Sequence, residues 1–249
     1  MRILAGLALA ALTACSSPEE PVAEPDPEEA VPLALPEPVG DAELEAPRFL
    51  NSLTDPRQSG RYAPRDECGG LEGASRFRTD LAAAVLAKDP DALAKLAHPE
   101  IKLDFGSGEG IEELRARLVN PAWELWSALE TVLPLGCAAN SRDGMTIPWY
   151  FAQDIPGGDP YMLLIVRGED VPLLARPDAG SEALAQLSWE AVEMVPDANG
   201  EAGPFANVRA PGGQQGYIAW SSLRSLIDYR LIVAHGEDGW QITAFVAGD

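Results

Sequence analysis

The stretch QQGYIAWSSLRSLIDYR, residues 214–230, decides how the C-terminal half of the chain is interpreted. Its first part alternates larger apolar residues with small or polar ones, as a β-strand does. On a strand, Tyr217 and Ala219 share one face while Ile218 and Trp220 share the other. Both faces therefore carry a large residue, so one of the two is expected to be exposed or covered by another part of the chain.

The sequence around this stretch acquires β character after Cys137. Short apolar runs follow one another, separated by turn residues such as Gly168, Gly180, Gly200 and Gly212. Short strands with closely spaced turns are typical of a small β-barrel or sandwich. Two further runs on either side of the turn GEDG predict a closing hairpin at the C-terminus.

Residues 165–224 resemble a bacterial SH3-like domain. That family has a Leu-x-x-Arg strand, a small-residue loop, a long strand, a Trp-x-x-Val strand, and a turn into Gly-Tyr-Ile with a closing Leu. The matching residues are Leu173, Arg176, Val208, Gly216, Tyr217, Ile218 and Leu223. Phe205 stands where the family usually has Trp. The resemblance implies a small β-barrel and leaves its ligand open.

The preceding part, residues 48–150, is predicted to be mainly helical. Helical spacing of apolar residues predicts helices from Ser75 to Lys88, over 111–119 and over 121–136, and Asp89-Pro90 is a helix start. Residues 101–105 alternate and predict a strand. The expected fold class is therefore α+β: a helical domain, then an SH3-like barrel over 151–249 that includes the added hairpin.

An alternative arrangement places the barrel inside the helical domain. Two helices, a strand, a glycine turn and another helix resemble the cone-shaped ketosteroid-isomerase-like fold, and the Trp240-x-Ile242 hairpin would suit its last strands. In that arrangement the hairpin returns to the helices and the barrel is an insertion. The resemblance implies a small-molecule or enzymatic pocket, for which His98 or an inward acid would be the functional group.

The N-terminus has the features of an export signal. Arg2 precedes an apolar run that is too short to span a bilayer. Leu12, Ala14 and Cys15 resemble the lipobox of bacterial lipoproteins, which implies cleavage after residue 14 and acylation of Cys15. Two or more acyl chains give stable membrane anchoring. A secretory signal with a chance cysteine is the alternative. Ser16, instead of Asp, implies sorting to the outer membrane, facing the periplasm or the cell surface.

Residues 15–47 are predicted to be a disordered spacer, because they are rich in acids and prolines and contain no Lys or Arg. The whole chain has a formal net charge of -21. Such a charge repels phosphate backbones, which argues against a nucleic-acid partner. The lipid anchor is therefore the expected means of membrane attachment.

Two cysteines remain in the exported part. Cys68 and Cys137 are candidates for a disulfide, with two free thiols as the alternative. Two cysteines and two histidines far apart in sequence make a poor zinc site, so no metal is expected. No cofactor motif occurs either: DFGSGEG lacks the spacing of a dinucleotide fingerprint, and its glutamates would repel phosphate.

No catalytic constellation accompanies the two histidines, His98 and His235, and we expect no enzyme activity. The remaining candidates are aromatic. Exposed aromatic side chains often mark binding sites, and Trp189, Tyr217, Trp220 and Tyr229 are the candidate lining of a peptide or glycan groove. The expected function is a non-catalytic binding or scaffold module, with peptidoglycan or another envelope protein as its partner.

Overall fold

The structure is a computed structural model that describes residues 40–140, 144–196 and 203–248. The predicted signal peptide, Cys15 and most of the predicted spacer lie outside these residues. Residues 39–249 cluster as one compact unit. Its described part is α+β, as predicted, with five α-helices and two sheets.

The helices of the described residues precede most of the strands. They are α1 Asp41–Leu50, α2 Ala74–Leu86, α3 Pro90–Lys95, α4 Ile111–Val119 and α5 Leu125–Val132. The predicted start of α3 is confirmed: the Asp89 side chain accepts hydrogen bonds from the N–H groups of Asp91 and Ala92, and Pro90 occupies the first turn. Helix α2 begins one residue before the predicted Ser75, behind Gly73.

Helix α1 corrects the predicted end of the spacer at residue 47. Although its sequence is acidic and contains Pro47, Ala46 and Leu50 are buried in the core and α1 packs against α2. Composition predicted disorder because it averages over the segment, whereas two correctly spaced apolar residues are enough to hold this helix on the protein.

The fourth predicted helix is broken. Pro121–Trp123 is a short 3-10 turn, Glu124 has a φ of +48°, and α5 begins only at Leu125. Trp123, within the range predicted as one helix, is 43% exposed, with the Arg117 guanidinium carbon 4.1 Å from its ring centroid. The left-handed Glu124 rotates Trp123 out of register with the buried face of α5.

The first sheet combines strands that precede the second sheet in sequence with two strands that follow it. Its strands are β1 Ala97–Lys102, β2 Ala138–Asn140, β3 Gly144–Ile147, β11 Arg230–Gly236 and β12 Gly239–Val246, in the order β1-β12-β11-β3-β2. Only the β1–β12 pair is parallel. The closing hairpin β11–β12 therefore belongs to the same sheet as β1, which corrects the predicted assignment of the hairpin to a separate domain over 151–249.

The second sheet lies in sequence between β3 and β11. Its strands are β4 Leu163–Val166, β5 Val171–Leu174, β6 Ala183–Leu187, β7 Ala191–Met194, β8 Phe205–Arg209, β9 Gln215–Ala219 and β10 Leu223–Ser225. Their order is β10-β4-β7-β8-β9-β5-β6. The described strands do not form a closed barrel, so the barrel that the SH3-like resemblance implied is not confirmed.

Three apolar clusters hold these layers together. The first fills the space between the helices and the first sheet, and the second lies against one face of the second sheet. The third, here called the junction cluster, joins the two sheets. Its buried members are Tyr62, Ala63, Leu135, Ala138, Trp149, Tyr150, Ile165 and Trp189.

The predicted disulfide between Cys68 and Cys137 is present, and both cysteines are fully buried. It fixes the segment before α2 to the start of β2, where the Glu67 N–H also donates to the Cys137 carbonyl and the Cys137 N–H to the Arg65 carbonyl. Gly136 permits this approach, because a Cβ there would lie 2.3 Å from the Arg65 carbonyl oxygen.

We predict that replacing both cysteines by serine lowers the free energy of unfolding by roughly 4 kcal/mol, the chain-entropy value for a loop of this length. Urea unfolding of the oxidised wild type and of the double variant measures the difference. A Ser127→Ala variant, altered on the exposed side of α5, serves as the control. Equal midpoints for the wild type and the double variant would contradict the prediction.

Candidate functional site

The four aromatic residues predicted to line a groove do not lie together. Trp189 is only 2% exposed and belongs to the junction cluster. Tyr229 packs against the first core, where its ring stacks on Phe245 with 4.7 Å between centroids. Trp189 therefore cannot line a surface groove, which corrects that part of the prediction, whereas Tyr229 is half-buried and belongs to a different layer from Tyr217 and Trp220. Alternation along a strand identified large residues but not which of them other layers cover.

One face of strand β9 is buried and the other is turned outward. Gly216 and Ile218 are buried against the second core, while Tyr217 is half-buried on the other face. Trp220 lies beyond the strand, in a 3-10 turn, and is 40% exposed. Tyr217 and Trp220 thus remain surface aromatics without forming a groove with the other two.

The two histidines have structural surroundings. His98 Nδ1 accepts a hydrogen bond of 3.1 Å from the Glu100 N–H. The exposed His235 ring packs edge-on against Trp240, with centroids 4.9 Å apart. Neither ring faces the interior of the helical part.

The space between the helices and the first sheet is filled by side chains. A void among the described residues of this layer measures about 10 Å³, no larger than a water molecule requires. Its lining is entirely apolar: Leu93, Ile101, Leu114, Leu129, Leu231, Ile242 and Phe245. A small-molecule substrate has no room there, and no lining group can exchange a proton.

The loop DFGSGEG is fixed by its own aspartate. Asp104 Oδ1 accepts hydrogen bonds of 2.8 and 2.9 Å from the N–H groups of Gly106 and Gly108. Its other oxygen pairs with the buried guanidinium of Arg117, whose Nε lies 2.7 Å from Glu113. The Arg117 hydrogen bond, with the two backbone donors, lowers the pKa of Asp104 to about 2. The loop therefore attaches β1 to α4 and does not bind phosphate.

A surface groove of about 240 Å³ lies beside β7 and β8 of the second sheet, and we call it the junction groove because Tyr62 of the junction cluster contributes to its lining. Leu163, Val192 and Tyr62 are among the residues that line it. Charged residues of both signs line it: Arg61, Glu190, Glu193 and Arg209.

The segment that carries Arg61 and Tyr62 is fixed to the second sheet by backbone contacts. The Tyr62 N–H donates to the Trp189 carbonyl at 2.9 Å. Gly60 has a φ of +108°, and a Cβ there would lie 1.9 Å from the Ser188 carbonyl oxygen. Ser59 donates from both its N–H and its hydroxyl to Glu169. Glycine at position 60 is therefore required for this side of the groove.

Charges in the junction groove are partly paired. Arg209 lies 2.7 Å from Glu193 on the neighbouring strand, and both side chains are half-exposed. The exposed Arg61 guanidinium lies near the Tyr62 ring, with 5.4 Å to its centroid. Burial raises the pKa of Tyr62, so its hydroxyl stays protonated at neutral pH. The groove thus presents charges of both signs, and its lining holds no thiol, hydroxyl-base pair or histidine.

Two other surface depressions are larger than the junction groove. One of about 550 Å³ is polar, but its Asp55 is paired with Arg57 and its Asp66 with Arg78. The other, of about 320 Å³, has its Arg230 over the Phe151 ring.

One group of metal-ligating residue types comes together among the described residues: Asp66, Cys68 and Cys137. The two sulfurs are bonded to each other, so they cannot bind a cation as thiolates. Asp66 instead accepts from the Cys68 N–H and pairs with Arg78.

Sequence analysis missed the residues of the junction groove. Arg61 lay in the part predicted to be mainly helical and Arg209 in the predicted β-domain, with no motif joining them. Only the pairing of distant segments brings these residues together.

We predict that Asp104→Asn lowers stability at pH 6 and that this difference disappears in acid. The folded-state pKa of Asp104 is depressed, so its contribution is complete above about pH 4 and is lost as the pH falls toward 2. Urea midpoints at pH 6 and pH 2 measure it, with Glu112→Gln on α4, the helix that carries Arg117, as the control. A constant difference between wild type and variant at both pH values would disprove the assignment.

Comparison with known proteins adds no relative: no protein-family model matches the chain, and no curated protein is similar to it at a significant level. In the ranges that the structure describes, no helix has the length and apolar character needed to cross a membrane. Inference about function therefore depends on the geometry and chemistry of the chain's own residues.

Proposed function

We propose that the protein is a lipid-anchored protein of the bacterial cell envelope that acts as a non-catalytic binding or scaffold module. It is anchored through Cys15 in the outer membrane and faces the periplasm. Its ligand is a cell-wall peptide or glycan, or another envelope protein. The observation that supports the binding role is the junction groove, which is open and lined by charges of both signs. The helical core, in contrast, is filled by side chains.

The lining of the junction groove favours a peptide segment over a metabolite. Its volume of about 240 Å³ is below the range typical of small-molecule pockets, roughly 300–1,000 Å³. Arg61 and Arg209 can pair with ligand carboxylates, and Glu190 and Glu193 with ligand amines. Cell-wall stem peptides carry both groups, which makes them the preferred ligand class.

We further propose that the second sheet is an incompletely closed SH3-like unit. Support comes from the residues of the resemblance: Leu173, Val208, Gly216, Ile218 and Leu223 are all buried, and all but Gly216 belong to the second core. Strands β6 and β7 follow each other almost directly, yet β6 pairs with β5 while β7 pairs with β4 and β8. A bent strand shared between two parts of a sheet suits such a unit.

The second candidate function is a pocket of the ketosteroid-isomerase-like cone type. The pairing of β12 with β1 and of β11 with β3 favours this topology, because the hairpin completes the sheet beside the helices. Because side chains fill the space between the helices and the first sheet, this topology is favoured only without the ligand pocket that it usually encloses. We therefore rank the binding module first.

The disulfide is consistent with an exported protein. Buried disulfides persist in oxidising compartments such as the periplasm, and are rare in the reducing cytosol.

For the binding role, we predict that the mature protein sediments with purified peptidoglycan and that the double variant Arg61→Ala, Arg209→Ala binds at least about tenfold more weakly, since each arginine provides a charge-assisted contact. Trp220→Ala is the matched control: it truncates an exposed residue outside the groove. Thermal unfolding verifies that each variant folds.

Two outcomes would change this assignment. Loss of binding in Trp220→Ala but not in the arginine variant would place the site at the end of β9. Failure of the wild type to sediment would remove peptidoglycan as the ligand and leave an envelope protein.

For the anchor, we predict that Cys15→Ala prevents fatty-acid labelling and leaves the precursor uncleaved, because the lipobox cysteine is the acceptor of the lipid. Metabolic labelling with palmitate and gel mobility measure both effects, and globomycin treatment of the wild type should reproduce the second. Unchanged labelling and mobility would exclude a lipoprotein.

A further inference from the structure

Two arginines lie on one face of the β4–β10 pair. Arg224 on β10 is directly opposite Ile165 on β4, and the Arg167 N–H donates to the Ser222 carbonyl at 2.8 Å. Residues opposite each other, and those two positions along a strand, share a face. Ile165, Arg167 and Arg224 therefore point the same way, toward the junction cluster to which Ile165 belongs. The other face of this pair, with Val166 and Leu223, contacts the second core.

The two guanidinium groups have unequal partners. Arg224 is buried, lies 2.9 Å from Asp228 and donates to the Tyr229 carbonyl at 2.7 Å. Arg167 is half-buried, and no ion pair joins it to any carboxylate of the described residues. The Nε atoms of both arginines are shielded from solvent and lack an acceptor within the described part of the chain.

Tyr150 adds a third donor to this place. Its side chain is fully buried in the junction cluster, and its hydroxyl has no hydrogen-bond partner among the described residues. Burial raises the pKa of Tyr150 to about 12, opposed by the charge of Arg224 and by the close approach of its guanidinium to the hydroxyl oxygen, although the geometry is not that of a formed hydrogen bond. The hydroxyl therefore stays protonated and can donate. Burial, followed by repulsion from Arg224, lowers the pKa of Arg167.

A buried donor without an acceptor is costly, and native proteins rarely tolerate several in one place. Here three such donors face the same region, and two positive charges share one carboxylate, that of Asp228. A bound water could accept hydrogen bonds from the donors, but it would not neutralise the second charge. An oxyanion would do both, since guanidinium groups pair with phosphate and carboxylate oxygens.

We propose that Arg167, Arg224 and Tyr150 form a binding site for a small oxyanion of the phosphate or carboxylate kind. Because the two arginine Nε atoms and the Tyr150 hydroxyl are shielded from solvent, binding requires side chains on the half-exposed side of Arg167 to move apart and admit the oxyanion. The site is separate from the junction groove and does not depend on the function proposed for that groove.

The test is ligand-dependent thermal stability of the mature protein at constant ionic strength. Inorganic phosphate at ten times its dissociation constant should raise the wild-type melting temperature by roughly 3–6 °C. Arg167→Gln, which keeps a long polar side chain without the charge, should abolish the shift. Tyr150→Phe should weaken phosphate binding by about tenfold, the effect of losing one hydrogen bond to a charged ligand. The control, Arg176→Gln, replaces an exposed arginine of the second sheet and should respond like the wild type.

Acetate, tested in parallel, distinguishes the two sources of the oxyanion. A shift with phosphate alone supports a phosphate ester as ligand, whereas a comparable shift with acetate supports a carboxylate. No shift with either, or an equal shift in Arg167→Gln, would overturn the proposal and indicate that the donors bind only water. If Tyr150→Phe does not fold, phosphorus NMR line broadening on the wild type and Arg167→Gln provides the same decision.

Discussion

Pairing between β3 and β11 is the constraint on which the rest of the structure depends. Leu231 lies opposite Ile147 and Ala234 opposite Gly144, although the whole second sheet separates these strands in sequence. The chain leaves the first sheet after Ile147 and returns to it at Arg230. The chain segment that forms the second sheet therefore begins and ends at adjacent strands of the first sheet. Trp149 and Tyr150, which closely follow β3, belong to the junction cluster.

The sequence predicted local elements where one segment contains the whole signal. Helix α4 follows from its apolar spacing, α3 from Asp89 and Pro90, and β9 from the alternation around Ile218. The disulfide could be predicted because only two cysteines follow Cys15. For the helices and the strand, the physical cause lies within a few neighbouring residues. For the disulfide, each cysteine has only one other cysteine available as its partner.

Features that depend on packing between distant segments could not be predicted in this way. The sequence predicted an exposed Trp189, but the segment around Gly60 packs against Ser188 and Trp189, and the Trp189 side chain is buried. Helix α1 resembled a spacer because its partner, α2, is not visible in its composition. The junction groove combines Arg61 with Arg209, and only the folded sheet brings these residues near each other.

The buried arginines alter how the protein presents itself to its surroundings. Arg78, Arg117, Arg224 and Arg230 are inside, whereas the carboxylates that pair with the first three are partly exposed. Because these arginines are buried, the outer surface carries fewer positive charges than the formal net charge of -21 alone would indicate. Copies crowded on one surface would repel one another over about 8 Å at physiological salt. This repulsion would keep neighbouring molecules apart, and divalent cations would reduce the distance between them. The folded protein would contribute to this effect together with the acidic N-terminal segment.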